Sequence, residues 1–367
     1  MRRGMTALLA IATVGIVGAL TPVVSSWADT DPVVTCTNQT VPVTVSPTDP
    51  TVYHVVGQLC VVDDAVRGLQ TVQLLVSGVT YDHSYFDMSP RGTNSYVAAA
   101  VNRGYSTFNI DRLGVGLSDH PPAEKLTLQS HAYVLGQIIQ KLRAGTIGNQ
   151  PFTNVVGVGH SFGTAILQYL AGTATDASSA PDYLVLGSFF MVPYVPGQTA
   201  LGNSLYPAES DPKFASSGYG ANYVTTQPGT RGSTMYNPAS ADPALIAEDE
   251  ATKQTATVSE RASIPAARDV NITRAIKVPA LITVGQNDNL FCNEASGLSC
   301  ADNATVMARE GTNYSARACL SAYVVAGAGH AVAGHLNAAA SFTATNDWLD
   351  KYTIPSTTGK DANGCLP

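Results

Sequence analysis

Charge is scarce in this chain. Asp, Glu, Lys and Arg together make up 13% of its 367 residues, with 20 basic against 27 acidic side chains. A formal charge of −7 without a basic cluster argues against a nucleic-acid partner, which needs a positive footprint. The zinc-protease pattern H-E-x-x-H is absent, and no C-x-x-C spacing offers a zinc or redox site. No Gly-Lys-Ser/Thr is present to cradle a phosphate. Gly157 and Gly159 begin a G-x-G pattern, but Phe162 stands where the dinucleotide fingerprint needs its third glycine. No internal repeat or coiled-coil pattern appears. After the N-terminal stretch, the longest apolar run, Tyr183 to Val195, fits a buried strand and its exit, not a membrane span. No metal, organic cofactor, nucleic acid or stable membrane span is therefore expected.

Six cysteines are present, Cys36, Cys60, Cys292, Cys300, Cys319 and Cys365. In an exported chain an even set reads as three disulfides. The pairing stays open, and proximity favours Cys36–Cys60, Cys292–Cys300 and Cys319–Cys365. Export itself is expected. Arg2 and Arg3 precede the apolar stretch Ala7 to Leu20, and Ser26-Trp27-Ala28 supplies small residues for cleavage. This pattern reads as a secretory signal peptide cut after Ala28, giving an extracellular protein. The alternative is a retained membrane anchor, against which the short apolar core counts. Sequons occur at Asn38, Asn271, Asn303 and Asn313.

Along the chain, strands alternate with helices. Residues 29–52 read as an extended lead-in. Strands are expected at Tyr53 to Val62, Thr71 to Val76, Ser106 to Ile110, Val155 to Val158, Tyr183 to Leu186, Pro279 to Val284 and Leu320 to Val325. Helices are expected at Ser95 to Arg103, Leu128 to Arg143, after residue 161, and from about Leu336 to Lys351. The alternation implies a mostly parallel sheet covered on both faces, a single α/β domain over 29–367. One stretch, about 190–273, breaks the pattern, with a single candidate helix over Pro243 to Arg261. Lying at the C-terminal end of a strand, it reads as a cap inserted over the place where such sheets bind ligands.

Gly159-His160-Ser161-Phe162-Gly163 lies between an apolar strand and a helix. A serine between two glycines at such a junction is the nucleophile elbow, a turn so tight that only small residues fit on either side. The turn lifts the hydroxyl clear of the sheet and places the Phe162 N–H where an oxyanion can bind. A serine hydroxyl also needs a base, and the base needs a carboxylate to orient it. Asp288 follows the strand ending at Val284, and His330 follows the strand ending near Val325. Taken singly, these are a turn serine, a turn-forming aspartate and an ordinary histidine. Their joint occurrence at three strand exits, in the order Ser, Asp, His, reads as a triad.

With these residues the chain resembles the α/β-hydrolase family, whose elbow, post-strand acid and late G-x-G-H histidine match Ser161, Asp288 and His330. Asp111 to Ser118 resembles the family's D-R-x-G-x-G-x-S turn, and Leu74 to Gly78 its oxyanion-loop strand. The resemblance covers about residues 70–350 apart from the cap. It implies an α/β-hydrolase fold and a second oxyanion donor at the Val79 N–H, with Thr80 as the alternative. This chain has Ser77-Gly78 where the family usually has His-Gly.

Serine at the elbow, rather than the aspartate of epoxide hydrolases and dehalogenases, points to acyl transfer to water. The expected function is a serine esterase, lipase or lactonase acting on a small, apolar ester or lactone. The alternatives are a peptidase or amidase of the same fold and a non-catalytic binding protein on it. Thr80, Tyr81 and His160 are candidate pocket residues, while Asp82 and His83 flank the oxyanion loop. Tyr194, Tyr206, Phe214, Tyr219, Tyr223 and Tyr236 could line the pocket from the cap or simply pack within it.

Overall fold

The computed structural model describes residues 33–63, 70–88, 94–355 and 357–366. Residues 1–28, expected to be a leader, lie outside them. In chain order the elements before the expected cap are β1 (Val33–Val43), β2 (Tyr53–Asp63), β3 (Thr71–Val76), α1 (Tyr96–Asn102), β4 (Ser106–Ile110), α2 (Leu128–Arg143), β5 (Asn154–His160), α3 (Phe162–Thr173) and β6 (Tyr183–Gly187). The segment that follows β6 holds α4 (Val195–Asn203), β7 (Leu205–Pro207), β8 (Tyr223–Thr226), α5 (Arg231–Met235), α6 (Pro243–Thr252), β9 (Ala256–Thr257), α7 (Val258–Ser263) and α8 (Val270–Ala275). The chain then returns to the main sheet through β10 (Ala280–Gly285), α9 (Asn303–Glu310), β11 (Ser321–Val325) and α10 (Ala338–Thr353).

Eight strands form one sheet in the order β1-β2-β4-β3-β5-β6-β10-β11. From β4 to β11 all neighbours are parallel, while β1 and β2 form an antiparallel hairpin at one edge. Every residue of β3, β4 and β10 is buried, as expected of strands covered on both faces. Helix α2 packs on α3, and α1 packs on α10, where Tyr96 meets Phe342 edge to face at 5.3 Å. The parallel arrangement brings the C-terminal ends of β3, β4, β5, β6, β10 and β11 to one edge of the sheet. Such an edge is where open α/β sheets bind ligands.

The mostly parallel sheet expected from the alternation is present, and most elements lie within two residues of their expected bounds. Two expectations change. Residues 29–52 were expected as a lead-in, yet Val33–Val43 pairs along its whole length with β2, with Cys36 directly opposite Cys60. Pro243 to Arg261 is not one helix. The chain leaves α6 at Lys253 so that Ala256–Thr257 can pair with β8, and α7 then restarts behind a Thr257–Glu260 capping box. Strands β7, β8 and β9 make a second, three-stranded sheet. Disulfides join Cys36 to Cys60, Cys292 to Cys300 and Cys319 to Cys365. Among the described residues no helix is long and apolar enough to cross a membrane.

Candidate active site

Ser161 occupies the turn between β5 and α3 with φ +52° and ψ −115°, a region that side-chain-bearing residues rarely enter. Its own N–H donates to Gly187 O at 2.8 Å, and its carbonyl accepts from Ala165 N at 3.1 Å. The flanking glycines are required by close approach. A Cβ on Gly163 would lie 1.9 Å from Val76 O, and one on Gly159 would lie 2.5 Å from the Thr164 backbone. The elbow is thus wedged between β3 and its own helix, and the strain at Ser161 is held by backbone contacts on both sides.

Asp288 follows β10 in a turn closed by the Asp288 N–H on Gly285 O at 3.0 Å and by the Cys292 N–H on Asp288 O at 2.7 Å. Its side chain is fully buried. Oδ1 accepts from Leu290 N at 2.9 Å, and Oδ2 lies 2.9 Å from His330 Nδ1. The carboxylate can only accept there, so the imidazole carries its proton on Nδ1 and leaves the Nε2 lone pair free. Nε2 makes no hydrogen bond among the described residues. The His330 ring stacks on Phe291 at 5.9 Å, and its backbone carbonyl accepts from Ser188 Oγ at 3.0 Å.

His160 Nε2 also donates to that carbonyl, at 3.2 Å, and the His160 ring stacks on Tyr85 at 3.9 Å. Burial, followed by the His330 ring, holds the His160 pKa well below its ordinary value, so it serves as a neutral brace. His335 braces the same loop. Its Nδ1 donates to Ala331 O, and its Nε2 accepts from Gly329 N at 2.8 Å and Asn237 N at 3.2 Å. Accepting from two amides requires the neutral ring, and burial lowers its pKa accordingly.

The cavity beside Ser161 is lined by Val79 and Phe162, among others. Neither the Val79 N–H nor the Phe162 N–H donates to a protein acceptor among the described residues. Two orphan amides beside a strained serine form an arrangement able to receive a developing oxyanion. Arg112 shapes the Val79 side. It donates from Nε to Ser77 O at 3.0 Å and from Nη2 to Gly78 O at 2.8 Å. Its Nη1 meets Glu260 at 2.6 Å, and Glu260 in turn meets His131 at 2.7 Å. Burial opposes charge on Glu260, but Arg112 and His131 hold its pKa down at about 2.

The expected pocket residues stand elsewhere. Thr80, Tyr81 and His160 are buried and do not line the Ser161 cavity. Thr80 Oγ1 accepts from Arg231 Nη1 at 2.9 Å, and the Tyr81 hydroxyl donates to Asp249 at 3.1 Å. Arg231 pairs with Asp249 at 2.7 Å and lies over the Tyr81 ring at 4.2 Å. These groups tie the loop after β3 to α5 and α6, which is why they do not line the cavity. None of the six aromatic residues expected at the cap side lines the cavity either. Tyr206, Tyr223 and Tyr236 spend their hydroxyls on Asp211, Pro121 O and Asp249.

Asp82, His83 and Asp111 gather three potential metal-ligand atoms within 4.8 Å. Protein donors already engage them: Ser84 and Gln254 on Asp82, and the His83 N–H, the His83 ring and Leu117 N on Asp111. The arrangement is a hydrogen-bonded brace for the β4 turn. Ser188, Glu260, Arg231 and Asp249 were not singled out from the sequence, because most of their partners lie far off along the chain.

A model of the alpha/beta hydrolase family matches residues 73–344. Among solved structures, the chain is similar to a soluble variant of monoglyceride lipase from Saccharomyces cerevisiae in complex with a substrate analog. The two are 14% identical over 86% of this chain and 98% of that chain, with a TM-score of 0.55. It is also similar to an E-2-(acetamidomethylene)succinate hydrolase, 16% identical over 86% of this chain and 100% of that chain, with a TM-score of 0.52. At these identities the likeness concerns the fold. A search of curated proteins finds no match.

Proposed function

The chain belongs to the alpha/beta hydrolase family, and we propose that it is an exported serine hydrolase that cleaves carboxylic esters through an acyl-enzyme. The observation that carries this reading is the buried 2.9 Å contact between His330 Nδ1 and Asp288 Oδ2. It leaves Nε2 as the base on the edge of the sheet where Ser161 stands. Ser161 Oγ attacks the ester carbonyl as His330 Nε2 takes its proton, and the Val79 and Phe162 N–H groups hold the oxyanion. Protonated His330, stabilised by Asp288, gives that proton to the leaving alkoxide. Water then attacks the acyl-enzyme, with His330 acting again as base, and the acid departs. Ser161 Oγ and His330 make no hydrogen bond in the free protein, so substrate binding is the step that brings them to contact distance, as in many unliganded hydrolases.

Residues of about 190–273 act as a cap over this site, and residues 1–28 act as a cleaved leader. The three disulfides fit an oxidising destination. N-terminal sequencing of the secreted protein checks the second statement, with Asp29 as the expected first residue. The test of the function is a panel of nitrophenyl esters, lactones and aminoacyl anilides on wild-type protein and on Ser161→Ala. Ester turnover that disappears in the variant is expected. Faster turnover of the anilides points instead to a peptidase of the same fold, and no turnover with no Ser161 adduct points to a binding protein.

A further inference from the structure

The cavity on Ser161 carries two charged side chains that ester hydrolysis does not require. Its walls are otherwise uncharged and mostly apolar; the exceptions are Arg261 and Arg268, and no acidic residue lines it. Arg261, on α7, donates to no acceptor among the described residues. Its guanidinium lies beside α4, where a Cβ on Gly202 would come within 3.1 Å of Nη2. Arg268 donates from Nε to Phe190 O at 3.2 Å and stacks over the Phe189 ring at 4.8 Å. Both of its terminal nitrogens lack an acceptor among the described residues. The buried Glu310 carboxylate acts on Arg268 through space, but its hydrogen bonds go to Met191 N and Asn313, and its close ionic contact is Arg309 at 3.5 Å.

The other buried guanidiniums among the described residues have acceptors at their terminal nitrogens, although Nε of Arg231 and Nε of Arg309 have no hydrogen-bond acceptor. Arg112 has two carbonyls and Glu260, Arg231 has Asp249 and Thr80, and Arg309 has Phe291 O and Val192 O. Among the described residues that line the Ser161 cavity, Arg261 and Arg268 are two partly buried guanidiniums whose terminal nitrogens have no acceptor. Burial lowers the pKa of both, Arg268 to about 10, with the Glu310 carboxylate acting in the opposite sense on Arg268. A guanidinium's planar donors match the two oxygens of a carboxylate. The cavity offers about 50 Å³ of free volume, room for roughly four waters at about 10–15 Å³ each. That suits a short group with an anionic end.

We propose that the part of the ester held in this cavity is short and ends in a carboxylate, which Arg261 and Arg268 bind while Ser161 attacks. The proposal rests on the ester-hydrolase reading and replaces the expected apolar substrate with an anionic one. Its test compares matched pairs: monoethyl succinate against ethyl pentanoate for a carboxylate on the acyl side, and 4-acetoxybutanoate against pentyl acetate for one on the alcohol side. In one pair, kcat/KM for the anionic ester is expected to exceed that for its neutral partner at least tenfold. Arg261→Gln and Arg268→Gln should each lower that ratio about tenfold, and Arg261→Lys should lower it less. A ratio below ten in both pairs overturns the proposal, as does a ratio left unchanged by Arg261→Gln in a protein of unaltered melting temperature. If neither member of either pair is hydrolysed and a fluorophosphonate leaves Ser161 unlabelled, the ester-hydrolase reading falls and takes this proposal with it. Hydrolysis of the neutral esters alone refutes only the carboxylate.

Discussion

The strand exits of the main sheet and the segment between β6 and β10 both bound the Ser161 cavity, but they are held by different forces. At the strand exits, Ser161, Asp288 and His330 each follow a parallel strand within a few residues. Their turns close through backbone hydrogen bonds, such as Ser161 N on Gly187 O and Asp288 N on Gly285 O. The intervening segment has only short strands and short helices, none longer than the ten residues of α6. It is secured by buried ion pairs, Arg231–Asp249 within it at 2.7 Å, Lys253–Asp211 within it at 2.7 Å, and Glu260 to Arg112 of the β4 turn at 2.6 Å. Backbone bonds tolerate changes of side chain, whereas each ion pair fails when one identity changes. On the proposed reading, the chemistry rests on the region closed by backbone bonds, and access and specificity rest on the region that a single substitution can loosen.

The sharpest division between the regions comes from Asp288→Asn. The amide keeps the shape but offers a donor to His330, favouring the wrong tautomer, so kcat should fall by about 10⁴-fold while the melting temperature barely moves. Steady-state kinetics beside calorimetry checks this, and a large loss of stability would put Asp288 in the structural class instead. Next in size, Arg231→Ala should destabilise the protein by about 3–5 kcal/mol, because Asp249 is left buried and unpaired. Urea unfolding measures the cost, and Arg231→Met with Asp249→Leu should recover much of it. A neutral Arg231→Ala would erase the contrast drawn above.

A smaller effect is expected at the Cys292–Cys300 bond, which closes a short loop just after Asp288. Replacing both cysteines with serine should cost about 2–3 kcal/mol, on a chain-entropy estimate for a loop of this length, and should lower kcat by loosening the acid's turn. Unchanged activity and unfolding would mean that backbone bonds hold the turn alone. The smallest effect concerns His83. Its hydrogen bond to Asp111 at 2.6 Å, opposed by burial, raises its pKa from the ordinary 6.5 to about 9. A folded-state pKa above the unfolded one means that this stabilisation is complete below about pH 6.5 and is lost as pH rises through 9. An NMR titration of the His83 ring reads the value directly, and a midpoint near 6.5 would remove Asp111 as its partner. The side chain is 45% exposed, so water screens the pair and the stability change should be slight.

How far the sequence alone reached follows the same division. Strands β3 and β4 and helix α2 begin and end where apolar periodicity puts them, because local pattern and burial coincide there. Ser161, Asp288 and His330 were legible because turn residues after apolar strands announce strand exits. Strand β1 was hidden, since its sequence is exposed along most of its length and buries only Val41 and Val43 at its end. The break between α6 and α7 had a readable sign in Thr257 and Glu260, spaced as a capping box. For Tyr81, Tyr223 and Tyr236 the sequence leaves pocket and packing roles open for one shared reason. A tyrosine's use is decided by where its hydroxyl finds an acceptor, and those acceptors lie up to 168 residues away. Arg261 and Arg268 went unremarked because an unpaired charge can be recognised only once the rest of the fold has been assembled around it.

The central claim is that Ser161 is activated by His330, itself oriented by Asp288. The most direct measurement treats the purified mature chain with a fluorophosphonate and maps the adduct by peptide mass spectrometry, for wild type, His330→Ala and Asp288→Asn. A single adduct on Ser161, formed at least a hundredfold more slowly in both variants, is the result expected. An adduct on another serine, or labelling of Ser161 at an undiminished rate in both variants, would contradict it.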